Sequence, residues 1–175
     1  SSRTRLSQAI FKKLSDKNVN YPKWSISDAL FLPARQIRIV PAQEFLWFDA
    51  DSIINFLTKP FKLSLQSNRM GFHCEGPKIY RPKAGELLST AVTMGTIQVT
   101  GSGTLILLMA DAQTTGGYPR IAQVASVDLP LCAQLKPNEE IYFKEISQEE
   151  AETLYLERET HLKQLDATIA YYFLD

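Results

Sequence analysis

Apolar and polar residues alternate in short runs through the middle of the chain, and this alternation predicts a mainly β protein. Gln36-Ile37-Arg38-Ile39-Val40 reads as a strand closed by Pro41, because side chains two apart share one face of a strand. Residues 61–65 alternate in the same way, as does Thr96-Ile97-Gln98-Val99-Thr100. Gly101-Ser102-Gly103 predicts a hairpin turn into a buried strand over 104–110. Residues 121–127 and 140–146 are further strand candidates. Many short strands separated by Gly/Pro turns predict a closed or nearly closed β-barrel, since closure removes exposed edges.

Helical spacing flanks this β region. Phe45, Phe48, Ile53, Phe56 and Leu57 predict a helix over 43–57, broken around Asp49-Ala50-Asp51. Ser147-Gln148-Glu149-Glu150 has the form of a capping box and opens a C-terminal helix with Leu154, Leu162, Leu165 and Ile169 on one face. Leu6, Ala9, Ile10, Phe11 and Leu14 predict a short amphipathic helix, and the spaced prolines Pro22 and Pro33 predict an irregular connector after it. The division expected is therefore 1–35, a short helix and linker; 36–150, the barrel; and 151–175, a helix with an aromatic tail. That tail, Ala170-Tyr171-Tyr172-Phe173-Leu174, would dock on the barrel or join two copies as a homodimer.

Composition narrows the class of function. The 175 residues suit one domain with a sizeable core. Formal net charge is zero, so no global field favours nucleic acid or an acidic membrane surface. No apolar run approaches the roughly 20 residues that span a bilayer. Cys74 and Cys132 lie far apart with no ligand spacing, so no metal site is expected; with no signal-peptide pattern visible, a cytoplasmic location is.

Two stretches carry more chemistry than turns require. Gln113-Thr114-Thr115-Gly116-Gly117-Tyr118-Pro119 puts amide and hydroxyl groups beside paired glycines, which allow positive φ or close approach to a bound group. Its Tyr118-Pro119 bond is of the type in which cis peptides occur. Such a loop can cradle an anion on backbone N–H groups, or simply close the barrel with its threonines capping backbone groups. Ser67-Asn68-Arg69-Met70-Gly71 offers a guanidinium suited to carboxylate or phosphate. The alternative role for Arg69 is a loop-bracing pair with Glu75 or Glu86. Cys74 as a nucleophile would need a base and a lowered pKa that the sequence does not reveal. Asp111 would act as a base or cap a turn.

These segments occur in a recognisable order: Ser67-Asn68-Arg69-Met70-Gly71, Glu75-Gly76-Pro77, Glu86-Leu87-Leu88-Ser89, Gly95-Thr96-Ile97-Gln98-Val99 and Asp111 to Pro119. Over about 36–150 the chain resembles the biotin-dependent-carboxyltransferase-like family that includes the C subunit of 5-oxoprolinase, also called KipA or allophanate hydrolase subunit 2. The resemblance implies a cyclophilin-like β-barrel and the C-terminal half of a longer subunit, with 1–35 a linker or the remnant of the missing N-terminal half. It implies a KipI-like partner (the B subunit of 5-oxoprolinase) and ATP-dependent hydrolysis of 5-oxoproline to glutamate, with ATP bound by the complex rather than by this chain. Within it, Arg69 would anchor a carboxylate or phosphorylated intermediate, with Asn68 beside it as a neutral hydrogen-bonding group in the substrate site. Gln98, Gln113, Thr114, Thr115, Gly116, Gly117 and Tyr118 would complete the substrate-binding wall; no catalytic residue is assigned. Two other functions stay open: a regulatory subunit that antagonises a kinase-inhibitor partner, and the carboxyltransferase module of a urea carboxylase-like enzyme.

Overall fold

A computed structural model describes residues 36–82 and 87–174, with side chains through Tyr171. The N-terminal helix and connector expected over 1–35 lie outside the described residues, as does Glu86. The described chain divides into two compact units, one ending at Glu152.

The first unit is a closed barrel, formed because alternating apolar positions in seven short strands turn to one interior. Its strands are β1 (Gln36–Pro41), β2 (Phe61–Leu63), β3 (Gly71–Glu75), β5 (Thr96–Val99), β6 (Leu105–Leu108), β8 (Arg120–Val124) and β9 (Glu140–Glu145), in the order β1-β8-β5-β6-β3-β2-β9. The ring closes by parallel pairing of β1 with β9, where Ile37 is opposite Phe143; every other barrel pairing is antiparallel. Ile37, Ile39, Phe61, Leu63, Ile97 and Leu107 are among the buried residues filling the interior. Removing apolar surface of this kind from water contributes about 1.5–3 kcal/mol per large side chain.

The helix expected over 43–57 is broken where the sequence suggested. A 3-10 turn at Phe45–Trp47 ends at Phe48, and Asp49 restarts the chain as N-cap of α1 (Ala50–Thr58) by accepting from Ser52 N at 2.7 Å. Helix α1 brings Phe56 to Phe143, stacked at 4.8 Å, and edge-on to Phe61 at 6.2 Å. A short helix α2 (Leu129–Ala133) follows β8 and had no expected counterpart.

Helix α3 (Gln148–Leu174) is capped as expected, with Ser147 Oγ accepting from Glu150 N at 3.1 Å, and takes in the aromatic run through Leu174. From Thr153 on it belongs to the second unit. There Leu154, Leu165 and Ile169 are half-buried and Leu162 is exposed.

The least regular connection shapes the candidate site. β6 and β8 both flank β5 antiparallel, so they run parallel to each other and the chain between them must cross β5. Ile97 and Val99 point into the core, so Thr96 and Gln98 point outward, and the crossover covers Gln98. On its way it forms β7 (Thr115–Gly116), which pairs with β4 (Thr90–Ala91) as a two-stranded ribbon outside the barrel.

Candidate functional site

Gln98 shows how the crossover is fixed. Its side chain is 1% exposed and its Nε2 donates to Tyr118 O at 3.1 Å. A Cβ on Gly116 would lie 2.5 Å from that nitrogen, so only glycine lets the ribbon lie this close. The expected pair of glycines thus divides. Gly116 approaches Gln98, whereas Gly117 is exposed, and neither has positive φ, which among the described glycines belongs to Gly95 and Gly103. All described peptide bonds are trans, Tyr118-Pro119 included. Beside Gln98, Thr96 Oγ1 donates to Gln123 Oε1 at 2.8 Å and Gln123 Nε2 donates to Met94 O at 2.9 Å.

A buried ion pair braces the same region. Arg120, the first residue after the crossover, donates from Nε to Glu44 Oε2 (2.7 Å) and from Nη2 to Glu44 Oε1 (2.6 Å), and from Nη1 to Ala91 O on β4 (3.3 Å). Those hydrogen bonds hold the Glu44 carboxyl below its ordinary range and raise the Arg120 guanidinium above its own. Arg38 and the buried Asp128 form a second such pair, with Arg38 N donating to Oδ2 at 2.8 Å. Sequence reasoning missed both. Glu44 stands as an isolated acid among apolar residues, and its partner is 76 positions away.

Arg69 and Asn68 occupy the turn between β2 and β3. Asn68 Oδ1 accepts from Met70 N at 2.8 Å, which commits it to the turn. Arg69 is 84% exposed and pairs with Asp111, Nε to Oδ2 3.0 Å. The bracing partners expected for it were Glu75 or Glu86. The partner is instead Asp111, because β3 pairs with β6 and the extension of that ladder joins Asp111 N to Arg69 O at 3.0 Å.

The structure therefore separates the predicted residues into groups. Arg69 and Asn68 lie at the turn, with exposed Gln113, Thr114 and Thr115 following Asp111 on the crossover. Gln98 lies beneath the ribbon, against Gly116 within it. Gly117 and Tyr118 line a groove of about 470 Å³ whose floor includes Phe48, Ile79 and Val99 and whose sides include Tyr80 and Arg81. Leu108 O, level with the turn, meets Gly95 N, whereas Pro119 O meets Val99 N. Gly95, just before β5, and Val99, its last residue, are four residues apart, about 13 Å at ~3.3 Å per residue.

Burial pushes the Cys74 and Cys132 thiols up to about 12, so neither supplies a thiolate nucleophile near neutrality. Among the described residues no group of three or more His, Cys, Asp or Glu could hold a metal, and no helix is long and apolar enough to cross a membrane.

The chain is 41% identical over 130 residues to the 5-oxoprolinase C subunit of Escherichia coli, covering 74% of this chain and 42% of that protein. It is 38% identical over 135 residues to the Haemophilus influenzae 5-oxoprolinase C subunit, covering 77% and 44%. The chain thus spans less than half the length of these curated relatives. The Kluyveromyces lactis urea carboxylase structure shares the fold, with a TM-score of 0.69 at 20% identity, covering 83% of this chain and 15% of that one. The family model described as carboxyltransferase domain, subdomain A and B, matches residues 9–145, most of the chain, and this protein belongs to that family.

Proposed function

We propose that this chain is the barrel part of a 5-oxoprolinase-type subunit that, with a KipI-like partner, takes part in ATP-dependent hydrolysis of 5-oxoproline to glutamate. The observation that carries the reading is its 41% and 38% identity to two bacterial 5-oxoprolinase C subunits.

In this reading the surface around Arg69 is one wall of a shared site. Arg69 anchors the substrate carboxylate or a phosphorylated intermediate, because guanidinium charge persists at any working pH. Asp111 orients it from 3.0 Å. Gln113, Thr114 and Thr115, exposed just beyond Asp111, supply neutral hydrogen-bonding groups on the same rim. Gly116, one of the four residues expected to form an anion cradle, packs on Gln98. In this reading the nucleotide is bound by the assembly and not by this chain alone.

The test uses the full-length subunit and its partner, supplied with ATP and 5-oxoproline, with glutamate release followed. Release that requires both proteins and ATP is expected. Partner binding without turnover would replace this reading with a regulatory one. Carboxyl transfer to urea, in a second assay supplied with urea and a carboxybiotin donor, would replace it with the carboxyltransferase one, for which the 29% identity over 131 residues to yeast urea amidolyase speaks.

A further inference from the structure

Arg69 and Asp111 meet edge to edge. Arg69 Nε lies 3.0 Å from Asp111 Oδ2, and Nη2 donates to Oδ1 at 3.3 Å. A guanidinium carries five N–H donors in a planar fork, and this side-on contact uses one on Nε and one on Nη2. The end-on edge, with one N–H each from Nη1 and Nη2, has no partner among the described residues. Such an edge matches the paired oxygens of a carboxylate or a phosphoryl group.

The backbone beneath the pair is fixed. Asp111 N donates to Arg69 O at 3.0 Å and Met109 N to Met70 O at 3.0 Å, which continues the β3–β6 ladder. Asn68 Oδ1 accepts from Met70 N at 2.8 Å, and Ser67 Oγ accepts from His73 N at 3.1 Å. Asp111 therefore grips one edge of a long side chain from a settled base and turns the other edge outward. Less of the guanidinium's freedom is then left to lose when a ligand binds.

Charge decides which anion suits that edge. Arg69 and Asp111 sum to zero, and they are the only charged residues in 64–71 and in 109–118. Gln113, Thr114 and Thr115 on the same rim are neutral. Residues 113–119 also hold no positive φ, so they lack the αR–αL backbone nest that cradles phosphate. A ligand on the end-on edge would share Nη2 with Asp111, which brings the nearest oxygens to about 5 Å. A second negative charge on the ligand gains from Arg69 little that Asp111 does not take back, and it is harder to strip of water.

From this we infer that the Arg69–Asp111 pair is a fork for a monoanionic carboxylate. Arg69 binds the carboxylate end-on, and Asp111 is a positioning residue that orients the guanidinium and disfavours a dianionic phosphoryl group. The inference rests on the shared site proposed above. It gives the anchor to the substrate carboxylate and not to the phosphoryl group of an intermediate.

The experiment uses the full-length subunit with its KipI-like partner, saturating ATP and 5-oxoproline. Competition against 5-oxoproline is measured for cyclopentanecarboxylate and for cyclopentylphosphonate, at a pH where the phosphonate is a dianion. The carboxylate should inhibit the parent more strongly. In Asp111→Asn, which keeps the side chain's size and removes its charge, that preference should shrink about fourfold or more, the effect of one unit charge at ~5 Å in water. The melting temperature should not change, and Asp111→Glu should keep the carboxylate preference. A phosphonate that competes with the parent as well as the carboxylate does, or a preference unchanged in Asp111→Asn, overturns the fork and leaves the 5-oxoprolinase reading standing. So does a parent that neither compound inhibits. A parent assembly that releases no glutamate overturns that reading and the fork with it.

Discussion

Glu44–Arg120 and Arg69–Asp111 are both Arg–carboxylate pairs, and both sit beside the crossover that leads to Pro119. In the first the side chains are 4% and 20% exposed, and the guanidinium reaches Glu44 twice and Ala91 O once. In the second they are 84% and 47% exposed, the guanidinium for Arg69 and the carboxylate for Asp111. The same residue types thus perform opposite tasks. The buried pair ties β8, the turn before α1 and the ribbon into one body. The exposed pair joins only two loop tips and leaves its charge where another molecule can meet it. Surface pairs contribute about 0–1 kcal/mol, whereas breaking a buried one costs several because a charge is left unpaired.

The comparison breaks first, if it is wrong, at Glu44. Glu44→Gln should destabilise the barrel by on the order of 3 kcal/mol in urea denaturation, by stranding Arg120. Its pH dependence has a defined sign. Arg120 lowers the folded-state pKa of Glu44 below its ordinary 4.5, so the stabilisation is full above that value and lost as pH falls through the depressed one. The parent should therefore lose stability on acidification in that window more steeply than Glu44→Gln. Equal slopes would remove the pair from the account.

The next effect separates the two glycines. Gly116→Ala would force the Gln98 amide from Tyr118 O and should cost about 1–2 kcal/mol. Gly117→Ala would place its Cβ at ordinary distances from Leu87 O (3.5 Å) and Ser89 Oγ (3.8 Å) and should shift stability by less than about 0.5 kcal/mol. Equal losses in thermal unfolding would show that the ribbon is not seated on Gln98.

The barrel was legible because its signal is local. Alternation at 36–40, 61–63 and 96–99 reports directly which side chains face inward, and Asp49 marks the helix break by its own capping chemistry. The site was legible in its residue types and less so in its arrangement. Gln98 and Asn68 look like ligand-binding groups in a string of letters, yet one fastens the crossover and the other closes a turn. Both uses depend on what packs over the residue, which for Gln98 is the backbone 20 positions on. Strand β3 was hidden because Phe72-His73 breaks the alternation, and β4 and β7 because two residues carry no period. Glu44 and Arg120 have no local signature at all.

A small expected effect on stability accompanies the largest expected effect on function. Arg69→Ala removes an exposed pair and should change the free energy of unfolding by less than about 1 kcal/mol. The central claim, that Arg69 belongs to the wall of a shared site, is tested most directly by measuring turnover of the Arg69→Ala protein in the complete assembly with ATP and 5-oxoproline, alongside its melting temperature. The account predicts a fall in turnover of about tenfold or more at an unchanged melting temperature. Parent-like turnover, or a loss of activity matched by a loss of stability, would contradict it.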